Sequence, residues 1–439
     1  MRAPYLDDGD VVLYAGDCVE VMAELPEASV DAVVTDPPYG LEFMGREWDS
    51  FKTDKRGLAR TGDTARPGIR GEWVSARPQS YDAGKPFQTW CETWAAEALR
   101  VLKPGGHLVA FGGTRTYHRL ACALEDAGFE IRDCLVWLYG SGFPKSLDVS
   151  RAIDKAAGAE REVVERVRVD GKPPGRIVTG FNHDGSLNPQ EMTSSVAITP
   201  EAAAWQGWGT ALKPGHEPIV LARKPLAERT VVAQVLATGT GALNIDGTRI
   251  VPGHANGTGR DGEESSARRY TENGGTSIAA LPGPRGGDPA GRWPSNAIFD
   301  EEAASLLDAE VGERPAGVAV RHRSGGNTFG GDSRKPPLED MGYGDTGGPS
   351  RFFYTAKAGA DEREGSKHPT VKPLALMRWL VRLVTPPGGL VLEPFAGSGT
   401  TLRAAREEGF RAIGIEREEE YLADAAHRLR QLSLFGGGA

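Results

Sequence analysis

The run Val30-Asp31-Ala32-Val33-Val34 ends at Thr35-Asp36-Pro37-Pro38-Tyr39-Gly40, and that junction constrains the fold more than any other stretch of the chain. The apolar run reads as a buried strand. Two consecutive prolines cannot continue a ladder, because neither has an N–H to donate. The strand must therefore stop with its C-terminal end facing a crevice. At that end stand a carboxylate, two rigid rings with free carbonyls and an aromatic face. Such a set can hold a flat, amino-bearing ring by its edge and its face at once, and a nucleobase is such a ring.

The flanking sequence says what kind of sheet this strand joins. Val11-Val12-Leu13-Tyr14 reads as a strand. Trp90, Trp94, Ala98 and Leu102 recur at helical spacing until Lys103-Pro104-Gly105-Gly106 stops the helix. His107 to Phe111 is strand-like, Leu120 to Ala127 helix-like and Leu135 to Leu138 strand-like again. That alternation predicts an α/β fold with a parallel sheet. It returns near the C-terminus. Pro373 opens a helix bearing Leu374, Met377, Leu380, Val381 and Val384, and Leu390 to Leu392 then reads as a strand. Thr401 to Glu408 is a short helix before Gly409, Ala412 to Ile415 a strand, and Tyr421, Leu422, Ala425 and Leu429 mark a last helix. This is a βαβ unit.

Between these halves the pattern changes. Residues 151–350 hold many glycines and scattered basic pairs, and Gly253 to Gly291 approaches low complexity and reads as poorly ordered. Trp205, Trp208, Ile219-Val220-Leu221 and Trp293 nevertheless need something to pack on, so part of the segment must fold. Gly45 to Lys85 reads as a mobile loop beside the site. The expected organisation is 1–150 as one half of a domain, 151–350 as a partly disordered insertion and 351–439 as the other half.

The second informative turn is Glu393-Pro394-Phe395-Ala396-Gly397-Ser398-Gly399-Thr400-Thr401. Its glycines let a ligand approach the backbone, and the helix that follows offers unpaired N–H groups. Glu416 ends the next strand, where an acidic residue partners ribose hydroxyls. Leu402 stands where a third glycine of a dinucleotide fingerprint belongs. That departure favours an adenosyl ligand without a pyrophosphate.

Together the two motifs resemble those of the S-adenosylmethionine-dependent amino methyltransferases of DNA, which modify N6 of adenine or N4 of cytosine. The order is that of the β class, in which Asp-Pro-Pro-Tyr (36–39) precedes Phe-x-Gly-x-Gly (395–399). The likeness covers 10–150 and 367–430. It implies a Rossmann-like methyltransferase fold, circularly permuted, with a mostly parallel sheet, helices on both faces and a large irregular insertion. It implies catalytic roles for Asp36, Pro37, Pro38 and Tyr39. It also implies cofactor contacts from Asp17 and Cys18, from Thr370 and Lys372 within His368-Pro369-Thr370-Val371-Lys372-Pro373, and from Glu393, Phe395, Gly397, Ser398, Gly399, Thr400 and Glu416. Asp36 leans toward adenine by family habit, since Ser is more usual at that position in N4-cytosine enzymes. The cofactor implied is S-adenosyl-L-methionine, the partner double-stranded DNA, and relatives of this kind are often homodimers, some with a companion restriction endonuclease.

Sequence reading by the protein would fall to the middle segment, where Arg223, Arg268, Arg269, Arg321, Arg323 and Arg334 are the candidate DNA contacts. The net charge of -9 argues against indiscriminate coating of nucleic acid but not against a local basic cleft. No Pro-Cys pair occurs, which separates amino methylation from ring-carbon methylation of cytosine. The four cysteines lack paired metal-ligand spacing, so no metal is expected. The absence of a long apolar run or a signal-peptide pattern points to a cytoplasmic protein away from membranes. Two rivals remain: methylation of a protein glutamine amide, disfavoured by Asp36 and by the motif order, and a non-catalytic DNA-binding homologue, disfavoured by the intact motifs.

Overall fold

Every residue of Val30–Thr35 is buried, Asp31 included, which requires cover on both faces of the strand. The computed structural model describes residues 2–40, 84–140, 146–161, 163–167, 192–250, 291–315, 345–356 and 371–435. Its strands are β1 (Leu6–Asp7), β2 (Val11–Ala15), β3 (Val30–Thr35), β4 (Leu102–Phe111), β5 (Glu130–Leu138), β6 (Val163–Val167) and β7 (Met192–Ser195). Next come β8 (His216–Arg223), β9 (Ala297–Asp300), β10 (Arg314–Pro315), β11 (Thr346–Gly347), β12 (Tyr354–Ala356), β13 (Leu390–Glu393) and β14 (Arg411–Glu416). The helices are α1 (Cys18–Ala23), α2 (Gly84–Val101), α3 (Tyr117–Asp126), α4 (Val149–Ala156) and α5 (Pro200–Ala204). They continue with α6 (Val231–Thr238), α7 (Glu301–Val311), α8 (Leu374–Val384), α9 (Thr400–Glu407) and α10 (Glu419–Phe435).

Ten strands form one sheet in the order β1-β2-β14-β13-β3-β4-β8-β5-β9-β12. The sheet is mostly parallel, as expected, but β1 and β8 run against their neighbours. Side chains alternate cleanly between two cores. Ala32, Val34, Val109, Phe111, Ile219 and Leu221 face a cluster built with α8 and α10. Val33, Leu108, Ala110, Val220 and Ala222 face a second cluster built with α1, α2 and α3. Helices on both faces explain why the central strands read as unbroken apolar runs.

The strand bearing the proline motif and the strand bearing the glycine turn are immediate neighbours, with Val391 opposite Ala32 and Leu392 opposite Val33. Asp31 helps to lock them. It is 6% exposed, accepts from the Leu390 N–H at 2.8 Å and takes the Lys103 ammonium at 2.6 Å, so it joins β3, β4 and β13. Lys103-Pro104-Gly105-Gly106 follows the end of α2, but it lies inside β4 as an irregularity between the Leu102 and His107 pairings, with Gly105 at φ 79°. Leu102, read as part of the helical stripe, is the first residue of β4.

Two expectations about the middle segment need correction. The boundary at 150 does not isolate an insertion, because β8 and β9, drawn from 151–350, are integral strands of the principal sheet. Ile219 to Leu221 thus find their packing partners in the main core. The tryptophans do not. Trp205 and Trp208 are 45% and 60% exposed and pack edge-on against each other, and Trp293 is 63% exposed beneath the Arg249 guanidinium. The expected mobile loop at 45–85 falls on undescribed residues except for its last two, Gly84 and Lys85, which open α2. Nearly all of Gly253 to Gly291 likewise lies outside the described residues. No helix among the described residues is long and apolar enough to cross a membrane.

Candidate active site

The chain reverses direction at the carboxyl edge of β2, β14, β13, β3 and β4, and the motif residues collect along that edge. Ligands of open α/β sheets bind in the crevice outside the carboxyl ends of the strands. Pro37 is buried, Pro38, Asp36 and Tyr39 are half-buried, and the Tyr39 carbonyl accepts from the Thr116 hydroxyl at 2.7 Å, which fixes the turn.

Both oxygens of Asp36 are engaged. Oδ1 accepts from the Tyr39 hydroxyl at 2.8 Å, and Oδ2 pairs with Lys372 Nζ at 2.7 Å. Lys372, just before α8, is 8% exposed and lies over the Phe111 ring at 4.8 Å. Its ammonium has three protons to donate and three acceptors around it. These are Asp36 Oδ2, the Tyr39 hydroxyl at 3.1 Å and Glu217 Oε2 at 3.2 Å. Burial alone would lower the Lys372 pKa, but the Asp36 and Glu217 carboxylates outweigh it and hold the amine above its ordinary value. Burial, and then the same two carboxylates, push the Tyr39 hydroxyl well above its ordinary range, so it stays protonated.

Glu217 is the residue that sequence reasoning missed. It enters from the N-terminal end of β8, which meets the carboxyl edge only because β8 runs antiparallel. The available signal was an acidic residue one proline ahead of the apolar run Ile219-Val220-Leu221.

The glycine turn follows β13. Gly397 and Gly399 sit at φ 50° and 78°, where a side chain is rarely tolerated. The Gly397 N–H donates to Glu416 Oε2 at 2.7 Å, and the Glu418 N–H donates to Oε1 at 2.8 Å. Burial raises the Glu416 carboxyl, against the pull of those N–H groups. Arg428, buried on α10, donates to the Ser398 carbonyl at 2.8 Å and to the Thr400 hydroxyl at 3.2 Å, bracing the turn from behind. Phe395 packs at a tilt against Trp90 and edge-on against Trp94 of α2, with ring centroids 5.5 and 5.6 Å away.

Several expected cofactor residues carry structural duties. Asp17 caps α1, accepting from the Val19 N–H at 2.9 Å. Cys18 is buried in the core below it, and burial pushes its thiol up to about 12. Glu393 is 1% exposed and bonds within the protein, to the Thr35 hydroxyl at 2.5 Å, the Thr401 hydroxyl at 2.7 Å and the Phe395 N–H at 3.0 Å. It ties the two motif turns together. Thr370 lies outside the described residues, as do Arg268, Arg269, Arg321, Arg323 and Arg334. Arg223 requires correction as a DNA contact. It is 7% exposed, its guanidinium is held by Glu130 at 2.6 Å, and it stands at the far end of β8, about 20 Å of strand from Glu217.

Glu393 yields a prediction about stability. Burial pushes its carboxyl up to about 8, although the bonds from Thr35, Thr401 and Phe395 pull it down; the Asp36 charge adds to the rise. The folded pKa exceeds the ordinary 4.5, so the folded state binds the proton more tightly. Its stabilisation is complete at acid pH and fades as the pH rises through about 8. A melting series from pH 5 to 9 should show the wild type losing more Tm than Glu393→Gln, which has no proton to shed. Parallel curves would contradict it.

The turn suits an adenosyl ligand on this chain's own geometry: a glycine pair at positive φ, a carboxylate ending the neighbouring strand and an aromatic ring at the turn's start. The family model described as DNA methylase, of the N6/N4 methyltransferase type, matches residues 30–225 and 286–427. The chain is 24% identical over 432 residues to the type II methyltransferase M.HindIII of Haemophilus influenzae, covering 95% of this chain and 94% of that protein. Over 122 residues it is 25% identical to the type II methyltransferase M.HinfI of Haemophilus influenzae, covering 28% and 30% of the two chains. Among solved structures, the cytosine-N4-specific PvuII DNA methyltransferase aligns at 14% identity and a TM-score of 0.43, covering 97% of this chain and 89% of that one. With both motif turns inside the matched residues, the chain belongs to the N6/N4 DNA methylase family and is an S-adenosylmethionine-dependent DNA amino methyltransferase.

Proposed function

We propose that the protein methylates the exocyclic N6 of a flipped adenine at a specific site in duplex DNA. The observation that carries this reading is the adjacency of β3 and β13, which sets Asp36 beside the glycine turn at one edge of the sheet. An exocyclic amine is a weak nucleophile because its lone pair is delocalised into the ring. A carboxylate accepting from its N–H draws that lone pair back onto nitrogen, and Asp36 is placed to do so, helped by the Pro37 carbonyl. Tyr39 offers a ring face for the base. Phe395, Gly397, Ser398, Gly399, Thr400 and Glu416 hold and orient the cofactor, with Asp17, Cys18, Thr370, Lys372 and Glu393 supporting the same pocket. S-Adenosylmethionine supplies a methyl group already activated on sulfur, so no covalent enzyme intermediate is needed. Productive geometry is then chiefly a matter of alignment.

The amine is unreachable within a stacked duplex, so the base must be extruded. Site choice falls to the segment between the motif halves, with Arg268, Arg269, Arg321, Arg323 and Arg334 as its base or phosphate contacts. Adenine is preferred over cytosine because the motif opens with Asp36. The permuted motif order and a homodimeric assembly are part of the same proposal. So is a cytoplasmic type II modification role, in line with the similarity to the type II methyltransferase M.HindIII.

The test is incubation of the protein with duplex DNA of mixed sequence and methyl-labelled cofactor, followed by nucleoside mass spectrometry. N6-methyladenine at one sequence context is the expected product. N4-methylcytosine would replace adenine with cytosine. Cofactor binding without incorporation would make the chain a non-catalytic homologue.

A further inference from the structure

Each oxygen of Asp36 already serves one partner, and a carboxylate that shares its charge with an ammonium and a hydroxyl is a weaker acceptor for an incoming amine, so Asp36 regains its full strength only when one of them leaves. Whichever partner leaves, the Tyr39 hydroxyl or the Lys372 ammonium, is a buried polar group that must keep a hydrogen-bond acceptor. Both already have a second one. Glu217 Oε2 lies 3.0 Å from the Tyr39 hydroxyl and 3.2 Å from Lys372 Nζ. The hydroxyl has one proton for two carboxylates, so it donates to one at a time and can pass between them with little movement. Resting on the family reading above, we propose that Glu217 is a positioning residue for methyl transfer: it takes over Lys372 and the Tyr39 hydroxyl from Asp36 as Asp36 turns to the target amine.

The charges favour a second carboxylate here. With Glu217 present, one ammonium is shared by two carboxylates, and Asp36 can be released while Lys372 stays paired. Without that charge, Asp36 is the sole anionic partner of a buried lysine, and the incoming amine must compete with an ammonium for it. The titratable groups facing Lys372 are Asp36, Tyr39 and Glu217, with Tyr139 farther off. Tyr139 is raised to about 12 by burial and then by Glu217, so it stays neutral across the working range.

Glu217→Gln keeps an acceptor of the same shape and removes only the charge. In the full-length protein the variant should bind S-adenosylmethionine as the wild type does and lose about tenfold or more in kcat near neutral pH. That deficit should shrink above about pH 9, because a lysine deprived of one carboxylate gives up its proton more readily and then releases Asp36. Glu217→Asp, which restores the charge, should recover most of kcat with the wild-type pH profile. An unchanged kcat in Glu217→Gln overturns the inference. So does a deficit that stays constant with pH, or a loss of cofactor binding, since each marks a role confined to structure. A wild-type protein that binds cofactor yet methylates no DNA overturns the family-based reading, and this inference with it.

Discussion

Replacing Asp36 by Ala should lower methyl transfer to DNA by a factor on the order of 10³, the scale of losing a proton-directing group, and leave S-adenosylmethionine binding essentially intact. The separation of effects follows from the geometry. Asp36 follows directly on β3, whereas Gly397, Gly399 and Glu416 form a self-contained set bonded through the Gly397 N–H and the Arg428 guanidinium. Removing the Asp36 carboxylate breaks none of those bonds. The fold should also survive. Lys372 retains Glu217 at 3.2 Å and the Tyr39 hydroxyl retains Glu217 at 3.0 Å, so no buried charge is stranded. Asp36→Asn should fall between the two, because its carbonyl still accepts one hydrogen bond but carries no charge. Single-turnover rates with saturating DNA measure the loss, and calorimetric titration with the cofactor measures the binding. If binding collapses along with rate, Asp36 is a cofactor ligand or a scaffold residue. If the rate survives, the amine is activated by another group.

The parts of this arrangement that were legible in the sequence share one physical cause. β3, β13 and β14 are covered on both faces, so they appear as apolar runs, and a run that ends abruptly in Asp36, Glu393 or Glu416 marks the carboxyl edge where ligands bind. Thr35 and Glu393, 358 positions apart, meet at 2.5 Å because the strands that carry them are neighbours. What stayed hidden depends on direction or on local competition. Nothing in Glu217-Pro218-Ile219-Val220 discloses that β8 is antiparallel, and only that reversal brings Glu217 to the Asp36 end instead of the Arg223 end. Asp17 carries a second duty that its residue type does not disclose, since a short acidic side chain before a helix accepts from the free N–H groups of the first turn. For Trp205 and Trp208, bulk and apolarity predicted burial, but the rings meet each other at the surface.

Gly399→Val should weaken cofactor binding by tenfold or more, about 1.4 kcal/mol at least, and cost roughly 2–5 kcal/mol of fold stability. Two effects add at this position. The backbone is left-handed at φ 78°, which a β-branched residue resists. A Cβ there would also stand 3.1 Å from the Ala425 Cβ and 3.3 Å from its Cα, so α10 must yield or the turn must move toward the crevice. Ala425 is fully buried in the core formed with α8, so a shift of α10 disturbs that core, whereas a shift of the turn narrows the cofactor crevice. Gly409 supplies the control. It lies just past the other end of α9 at the same φ of 78°, but a Cβ added there meets nothing within 4 Å. Gly409→Val therefore carries the backbone strain without the collision, about 1–2 kcal/mol, and should bind cofactor as the wild type does. Thermal melts and cofactor titrations on the pair separate the two effects. Equal losses of affinity in both variants would mean that α9 as a whole, rather than the close approach of its first turn to α10, shapes the cofactor pocket.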